Sequence, residues 1–238
     1  MKKATILLSG GLDSAVTLYF AKTRGFDCSC LIFNYGQRHK KEIESAKKIA
    51  HAAGCPYEIL KIDLPWKGSS LLDKNINLPR VTKSQSHKVT SKIPSTYVPG
   101  RNIIFLSFAL SFAESIGAKA IFIGAHAQDY SGYPDCRPEF YKAFSKVIAV
   151  GTKAGVEKRG IKIEAPLINK NKAQIIKLGD KLGVPFELTW SCYRGGNVAC
   201  GKCDSCYYRA KGFKEAGLRD TLETNRGTPL KLIGRVSP

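Results

Sequence analysis

Apolar residues follow two rhythms along this chain: short unbroken runs, and stretches spaced by three and four. The first run, residues 4–8, predicts a strand buried on both faces. Residues 14–24 then carry a helical pattern that Gly25 ends. "FDCSCLIFN" predicts a second strand, with Cys28 and Cys30 on one core-facing side. Over residues 40–53, Ile43, Ala46 and Ala50 share one helical face while Glu44, Lys47 and Lys48 point outward, and Gly54 closes the segment. "YEILKID", "KAIFIGAH" and "IKIEAPLI" predict a third, fourth and fifth strand. "NIIFLSFALSFAESI" is apolar nearly all round and predicts a buried helix ended by Gly117. Phe140, Phe144, Val147 and Ile148 give another helix its inner face, and residues 171–182 form a last one stopped by Gly183 and Pro185.

This alternation predicts an α/β fold with a parallel, doubly wound five-stranded sheet. Ligands of such sheets bind beyond the carboxyl ends of the strands. "SGGLDS" follows the first strand and "GAHAQDY" the fourth, so both fall at that edge. Residues 65–100 show little periodicity, the mark of a lid or long loop. They end in "STYVPGRN", a turn carrying one cation, Arg101.

Composition narrows the class. A chain of 238 residues holds one large domain, or a domain with a small appendage. The longest uncharged apolar stretch, residues 102–113, is short of the ~20 residues a bilayer requires. The run after Met1-Lys2-Lys3 is too short for a secretory signal, so the cytoplasm is expected. The charge is lopsided, with 38 Lys and Arg against 19 Asp and Glu, a formal +19. The basic residues form no tract interleaved with aromatics. The sign therefore fits anionic nucleotides as small substrates, and direct nucleic-acid binding is not expected. Eight cysteines in such a chain point to metal or catalysis before disulfides. Cys192, Cys200, Cys203 and Cys206 are separated by seven, two and two residues. Four thiolates fill the coordination of zinc and leave no open position, so one structural zinc per chain is expected.

Residues 9–14, Ser-Gly-Gly-Leu-Asp-Ser, join a strand to a helix. A tight turn with a helix cap would use these residues, and so would a phosphate cradle at the positive end of the helix dipole. The stretch has neither Gly-x-Gly-x-x-Gly spacing nor the lysine of the common phosphate loop. It resembles the PP-loop of the ATP pyrophosphatases, which cleave ATP between the α and β phosphates. "NYGQRHKKE", "YVPGRN", "DYSGYPDCRPEF" and "WSCYRGGNVACGKCDSCYYRAKGF" are similar, in the same order, to the 7-cyano-7-deazaguanine synthases of the queuosine pathway. The resemblance spans nearly the whole chain. Residues 67–96 depart from it in being unusually polar and basic.

The resemblance implies an adenine nucleotide alpha hydrolase-like sheet over residues 1–190 that binds ATP. It also implies a small helical zinc subdomain over residues 191–238. The implied reaction converts 7-carboxy-7-deazaguanine and ammonia to the nitrile. ATP with Mg²⁺ adenylylates the substrate twice, releasing AMP and pyrophosphate. Leu8, Ser9, Gly10, Gly11, Leu12, Asp13 and Ser14 would hold ATP, with Asp13 ordering the turn or a Mg²⁺. Asp13, Ser14, Arg101 and Lys172 form the expected catalytic set, the two cations serving the phosphates. Surface solvation of Lys172 and a turn salt bridge for Arg101 are the alternatives. Asp129, Tyr133, Asp135, Arg137 and Glu139 are the candidate deazaguanine contacts. Tyr133 would stack on the ring, Arg137 would face the substrate carboxylate, and Asp135 is favoured to read the guanine-like edge. The alternative is that residues 135–139 cap the next helix, with Pro138 at its first position. A homodimer is compatible with all of this. Two other classes fit part of the pattern: a PP-loop enzyme that modifies tRNA directly, and a basic zinc module that binds nucleic acid.

Overall fold

The computed structural model describes residues 1–37, 40–66, 68–73, 75–78, 93–126 and 132–222. Its strands are β1 (Lys2–Leu7), β2 (Phe26–Asn34), β3 (Tyr57–Lys61), β4 (Ala120–Phe122) and β5 (Lys162–Glu164). Its helices are α1 (Leu12–Thr23), α2 (Lys41–Ala52), α3 (Arg101–Ser115), α4 (Pro138–Gly151), the short α5 (Lys153–Val156), α6 (Lys172–Lys181) and α7 (Asp204–Ala216). The sheet runs β3-β2-β1-β4-β5, and every neighbouring pair is parallel.

The unbroken apolar runs are explained by burial on both sides. Ala4, Ile6 and Leu8 turn to one face, with Val16 and Leu18 of α1, Ile49 of α2 and Ile175 and Ile176 of α6. Leu7, Leu31, Phe33 and Ile121 turn to the other, with Leu106 of α3 and Phe144 and Ile148 of α4. This alternation is what a central parallel sheet needs. Because β2 lies on one side of β1 and β4 on the other, the connections leaving β1 and β4 diverge. The crevice between their carboxyl ends is where doubly wound sheets hold ligands.

Three expectations need correction. The helix read as buried all round, α3, buries Leu106, Ala109, Leu110 and Ala113 but leaves Ile103 48% and Phe108 43% exposed. One flat sheet can cover only one stripe of a helix. Val147 was assigned to the inner face of α4 and is 53% exposed. The inner stripe follows Phe140, Phe144 and Ile148, four apart, with Tyr141 beside it. "KAIFIGAH" and "IKIEAPLI" also supply only three strand residues each, and the residues that follow them in each run become loop at the sheet's carboxyl edge.

The segment after residue 190 is packed onto this frame. Phe213 of α7 joins the core beside α1 and α6. Arg209 is 3% exposed and binds Asp220 through Nε (2.8 Å) and Nη2 (2.9 Å). Its Nη1 donates to Thr189 Oγ1 at 2.7 Å. Trp190, Cys192, Ala199, Cys203 and Cys206 form a small separate core. The Trp190 N–H donates to the Gly10 carbonyl at 2.9 Å, joining this core to residues 9–14. Among the described residues, no helix is long and apolar enough to cross a membrane.

Gly10 has φ +81°, and a Cβ built there would lie 2.1 Å from the Glu42 carbonyl oxygen. Gly10→Ala therefore strains the backbone and pushes α2 off the turn. We expect a loss of at least ~2 kcal/mol, read from the denaturant midpoint. An unchanged midpoint would contradict the close approach.

Candidate active site

Residues 9–14 are held by their own hydroxyls. Ser14 Oγ donates to the Gly11 carbonyl at 3.0 Å and accepts the Ser9 N–H at 3.2 Å. Ser9 Oγ meets Ser14 Oγ at 3.1 Å and accepts the Gly11 N–H at 3.3 Å. Gly11 is the N-cap of α1, and no side chain caps that helix. The first-turn N–H groups thus stay available to an anion at the positive end of the dipole. On the far side, a Cβ on Gly124 would lie 3.0 Å from the Ser14 nitrogen. Only glycine lets the β4 loop approach the start of α1 so closely.

Asp13 points from α1 to a cation. Lys172 Nζ lies 2.8 Å from both of its carboxylate oxygens. The same ammonium is 3.0 Å from His126 Nε2, which is 3.6 Å from Asp13 Oδ2. Burial works against the Asp13 charge, but Lys172 and then His126 outweigh it and hold the carboxyl well below the usual range. Lys172 starts α6, whose N-terminus is fixed by a capping box between Asn171 and Gln174.

A cavity of about 290 Å³ opens beside this triad. Leu8, Ser9, Asp13, Ser14, Arg101 and Tyr133 line it. Gly10, Gly11 and Leu12 complete the turn beneath, and Lys172 reaches the site through Asp13. Arg101 begins α3, and its Nη1 lies 3.3 Å from the Tyr35 hydroxyl. Its guanidinium also sits 5.8 Å from the ring centroids of Tyr35 and Phe105. The Tyr133 hydroxyl shares a 2.6 Å hydrogen bond with Thr96 Oγ1.

The other candidate deazaguanine contacts lie elsewhere. Asp135 is 5% exposed, and its Oδ2 accepts the Asn102 N–H at 3.0 Å, capping the first turn of α3. Its carbonyl accepts from Asn102 Nδ2 at 3.2 Å. Arg137 occupies the N-cap position of α4 and Glu139 its first turn, both exposed. None of these three is among the residues lining the cavity. Asp129 falls outside the described residues.

Sequence reading missed Glu42, Tyr35 and Asn102, which line the cavity, and His126 beside Asp13. Position gave a signal for two of them. Tyr35 follows the carboxyl end of β2 directly, and His126 lies just beyond β4.

The four C-terminal cysteines converge, with sulfur atoms all within 4.8 Å of one another. Tetrahedral zinc–sulfur bonds of ~2.3 Å place the sulfurs on the order of 3.8 Å apart, inside that spread. The Cys203 and Cys206 thiols, with the amides of Cys200 and Arg194, hold the Cys192 thiol well below its ordinary range. Four sulfur donors brought this close, three of them buried, suit a closed metal site.

Comparison with known proteins adds three findings. A family model described as queuosine biosynthesis protein QueC matches residues 3–217. A relative from Nostoc sp. named 7-cyano-7-deazaguanine synthase is 53% identical over 222 residues, 92% of this chain and 96% of the relative. One of the same name from Thermoplasma acidophilum is 50% identical over 222 residues, 93% of this chain and 92% of that one.

Proposed function

The chain belongs to the queuosine biosynthesis family QueC, and from that premise we propose how its cavity turns 7-carboxy-7-deazaguanine and ammonia into 7-cyano-7-deazaguanine. A carboxylate resists attack by an amine, so it is first converted to a mixed anhydride with AMP. Ammonia then displaces AMP to give the amide. A second adenylylation on the amide oxygen lets AMP depart again, leaving the nitrile. Each cycle expels pyrophosphate, and charge grows most on the α-phosphate and on that leaving group.

The observation that supports this best is the uncapped start of α1 opening into the cavity beside Arg101. First-turn N–H groups are preorganised donors for the leaving pyrophosphate, the setting in which such donors lower a barrier most. The Ser14 hydroxyl holds the turn that aims them through its bond to the Gly11 carbonyl. Asp13 alone would repel phosphate from this point. Lys172 cancels its charge, so the helix end stays attractive to anions while Asp13 anchors the turn to α6. Arg101 is the cation we assign to the α-phosphate, and Tyr133 the aromatic face for the deazaguanine ring. Asp135 acts on the site by fixing α3, and hence Arg101, through Asn102. Magnesium would enter with the ATP phosphates and offset part of their charge. The metal at the four cysteines is assigned as zinc with a structural role. It steadies Trp190, whose N–H holds Gly10. The cytoplasm, where thiols stay reduced, is the assigned location.

Nucleotide analysis during turnover tests the assignment. AMP and pyrophosphate should accumulate only when 7-carboxy-7-deazaguanine is present. ADP as the main product would reject cleavage between the α and β phosphates.

A further inference from the structure

The reaction proposed above, on which this inference rests, must dispose of protons. Ammonia exists mostly as ammonium at neutral pH, and its nitrogen has no lone pair until one proton leaves. Amide formation sheds a second, and forming the nitrile removes two more from the amide nitrogen. A proton acceptor therefore has to face the reacting carbon.

Among the described residues lining the cavity, the carboxylates are Asp13 and Glu42. Both oxygens of Asp13 are taken by Lys172. Among the described residues the Glu42 carboxylate makes no side-chain hydrogen bond or ion pair, and Arg101 acts on it through space. Glu42 lies in the first turn of α2, directly beneath residues 9–14, since its carbonyl is the atom that a Gly10 side chain would strike. We propose that Glu42 binds ammonium in the cavity and accepts protons shed as the carbon–nitrogen bonds form.

In the first cycle an ammonium N–H proton passes to the Glu42 carboxylate. The freed lone pair attacks the acyl carbon, AMP leaves with the carbon–oxygen electrons, and the N-protonated amide gives up a second proton to water. In the second, adenylylation on oxygen leaves a protonated imidate that gives one N–H proton to water, and its last N–H proton passes to the carboxylate. The electrons of that N–H bond become the new carbon–nitrogen π bond as AMP departs. Between cycles the carboxyl returns its proton to water through the cavity mouth.

The surroundings suit the task. Burial pushes the Glu42 carboxyl up to about 7, against the pull of Arg101 from α3 and with a further push from Cys192. Tyr35, at the end of β2, is the third titratable neighbour, its own phenol raised by burial. A base whose pKa lies near the working pH transfers protons most effectively.

The test separates activation from nitrogen transfer on the full, metal-loaded chain. Wild type is first shown to form the nitrile, because failure there rejects the reaction itself and not the role of Glu42. Glu42→Gln should still exchange labelled pyrophosphate into ATP with 7-carboxy-7-deazaguanine alone. Its ammonium-dependent nitrile formation should fall by about 10²-fold or more. Hydroxylamine, already unprotonated at neutral pH, should restore capture of the acyl adenylate as the hydroxamate. The residual ammonium reaction should rise with pH as free ammonia rises. Ammonium kinetics like wild type, or parallel loss of exchange and nitrile formation, would overturn the proposal. If Glu42→Gln does not fold, Glu42→Asp gives the same reading: exchange retained with a raised KM for ammonium supports it, and both lost together reject it.

Discussion

Asp13→Ala should lower kcat by about 10²- to 10³-fold, the usual cost of removing a preorganised electrostatic element from a transition state. The effect has two parts. Without the carboxylate, Lys172 loses both of its 2.8 Å partners, and the link between α1 and α6 is released. The turn at residues 9–11 then loses the anchor that aims its N–H groups at phosphate. Asp13→Asn keeps the shape but cannot neutralise the ammonium, which is only 15% exposed. It should lose activity nearly as far, and ~1.5–3 kcal/mol of stability, the range for hydrogen bonds to charged groups. The pH dependence has a definite sign. Asp13 is held below the ordinary carboxylate range, so its contribution is present above the unfolded pKa of about 3.9 and is lost as pH falls beneath it. The stability gap between wild type and Asp13→Asn should therefore stay level at neutral pH and close only below about pH 4. A gap that closed near neutrality would mean that the ion pair is not the source. Urea titrations across pH measure the gap, and steady-state kinetics measure the loss.

Cys203→Ser should have the largest effect on the fold. Removing one thiolate from a set gathered within 4.8 Å leaves three ligands where a closed site needs four. Structural zinc contributes ~10–16 kcal/mol in small metal-dependent modules at neutral pH. The core formed by Trp190, Ala199 and the cysteines is too small to hold without it. We expect metal content to fall from about one zinc per chain toward zero, with a lower thermal midpoint. Activity should drop too, although no cysteine of the set is assigned to the chemistry, because Trp190 is the donor that holds Gly10. Elemental analysis beside calorimetry reads both. Full metal content in Cys203→Ser, or in a Cys192/Cys200 double variant, would rule out the four-cysteine site.

What the sequence made legible follows the range of the interactions. The central strands β1, β2 and β4 were readable because both faces are covered, which leaves unbroken apolar runs. The four-cysteine cluster was readable because its members lie within one short segment, so spacing alone implied convergence. Asp13 and Lys172 were each named, but their union spans 159 residues and depends on strand order, which no local pattern carries. The same limit hid the role of Asp135, whose partner Asn102 lies 33 residues earlier. Val147 was misplaced because residue type stood in for angle. It is apolar but lies off the stripe set by Phe140, Phe144 and Ile148. Glu42, the last residue of "NYGQRHKKE", carries no local pattern that sets it apart, and its place under the turn depends on the close approach of α2 to Gly10.

The measurement nearest the central claim is mass spectrometry of the small molecules after incubation with 7-carboxy-7-deazaguanine, isotopically heavy ammonium, Mg²⁺ and ATP. The account predicts a deazaguanine nitrile carrying one heavy nitrogen, with two molecules of AMP formed for each nitrile. Unlabelled or absent nitrile, or ADP in place of AMP, would contradict it.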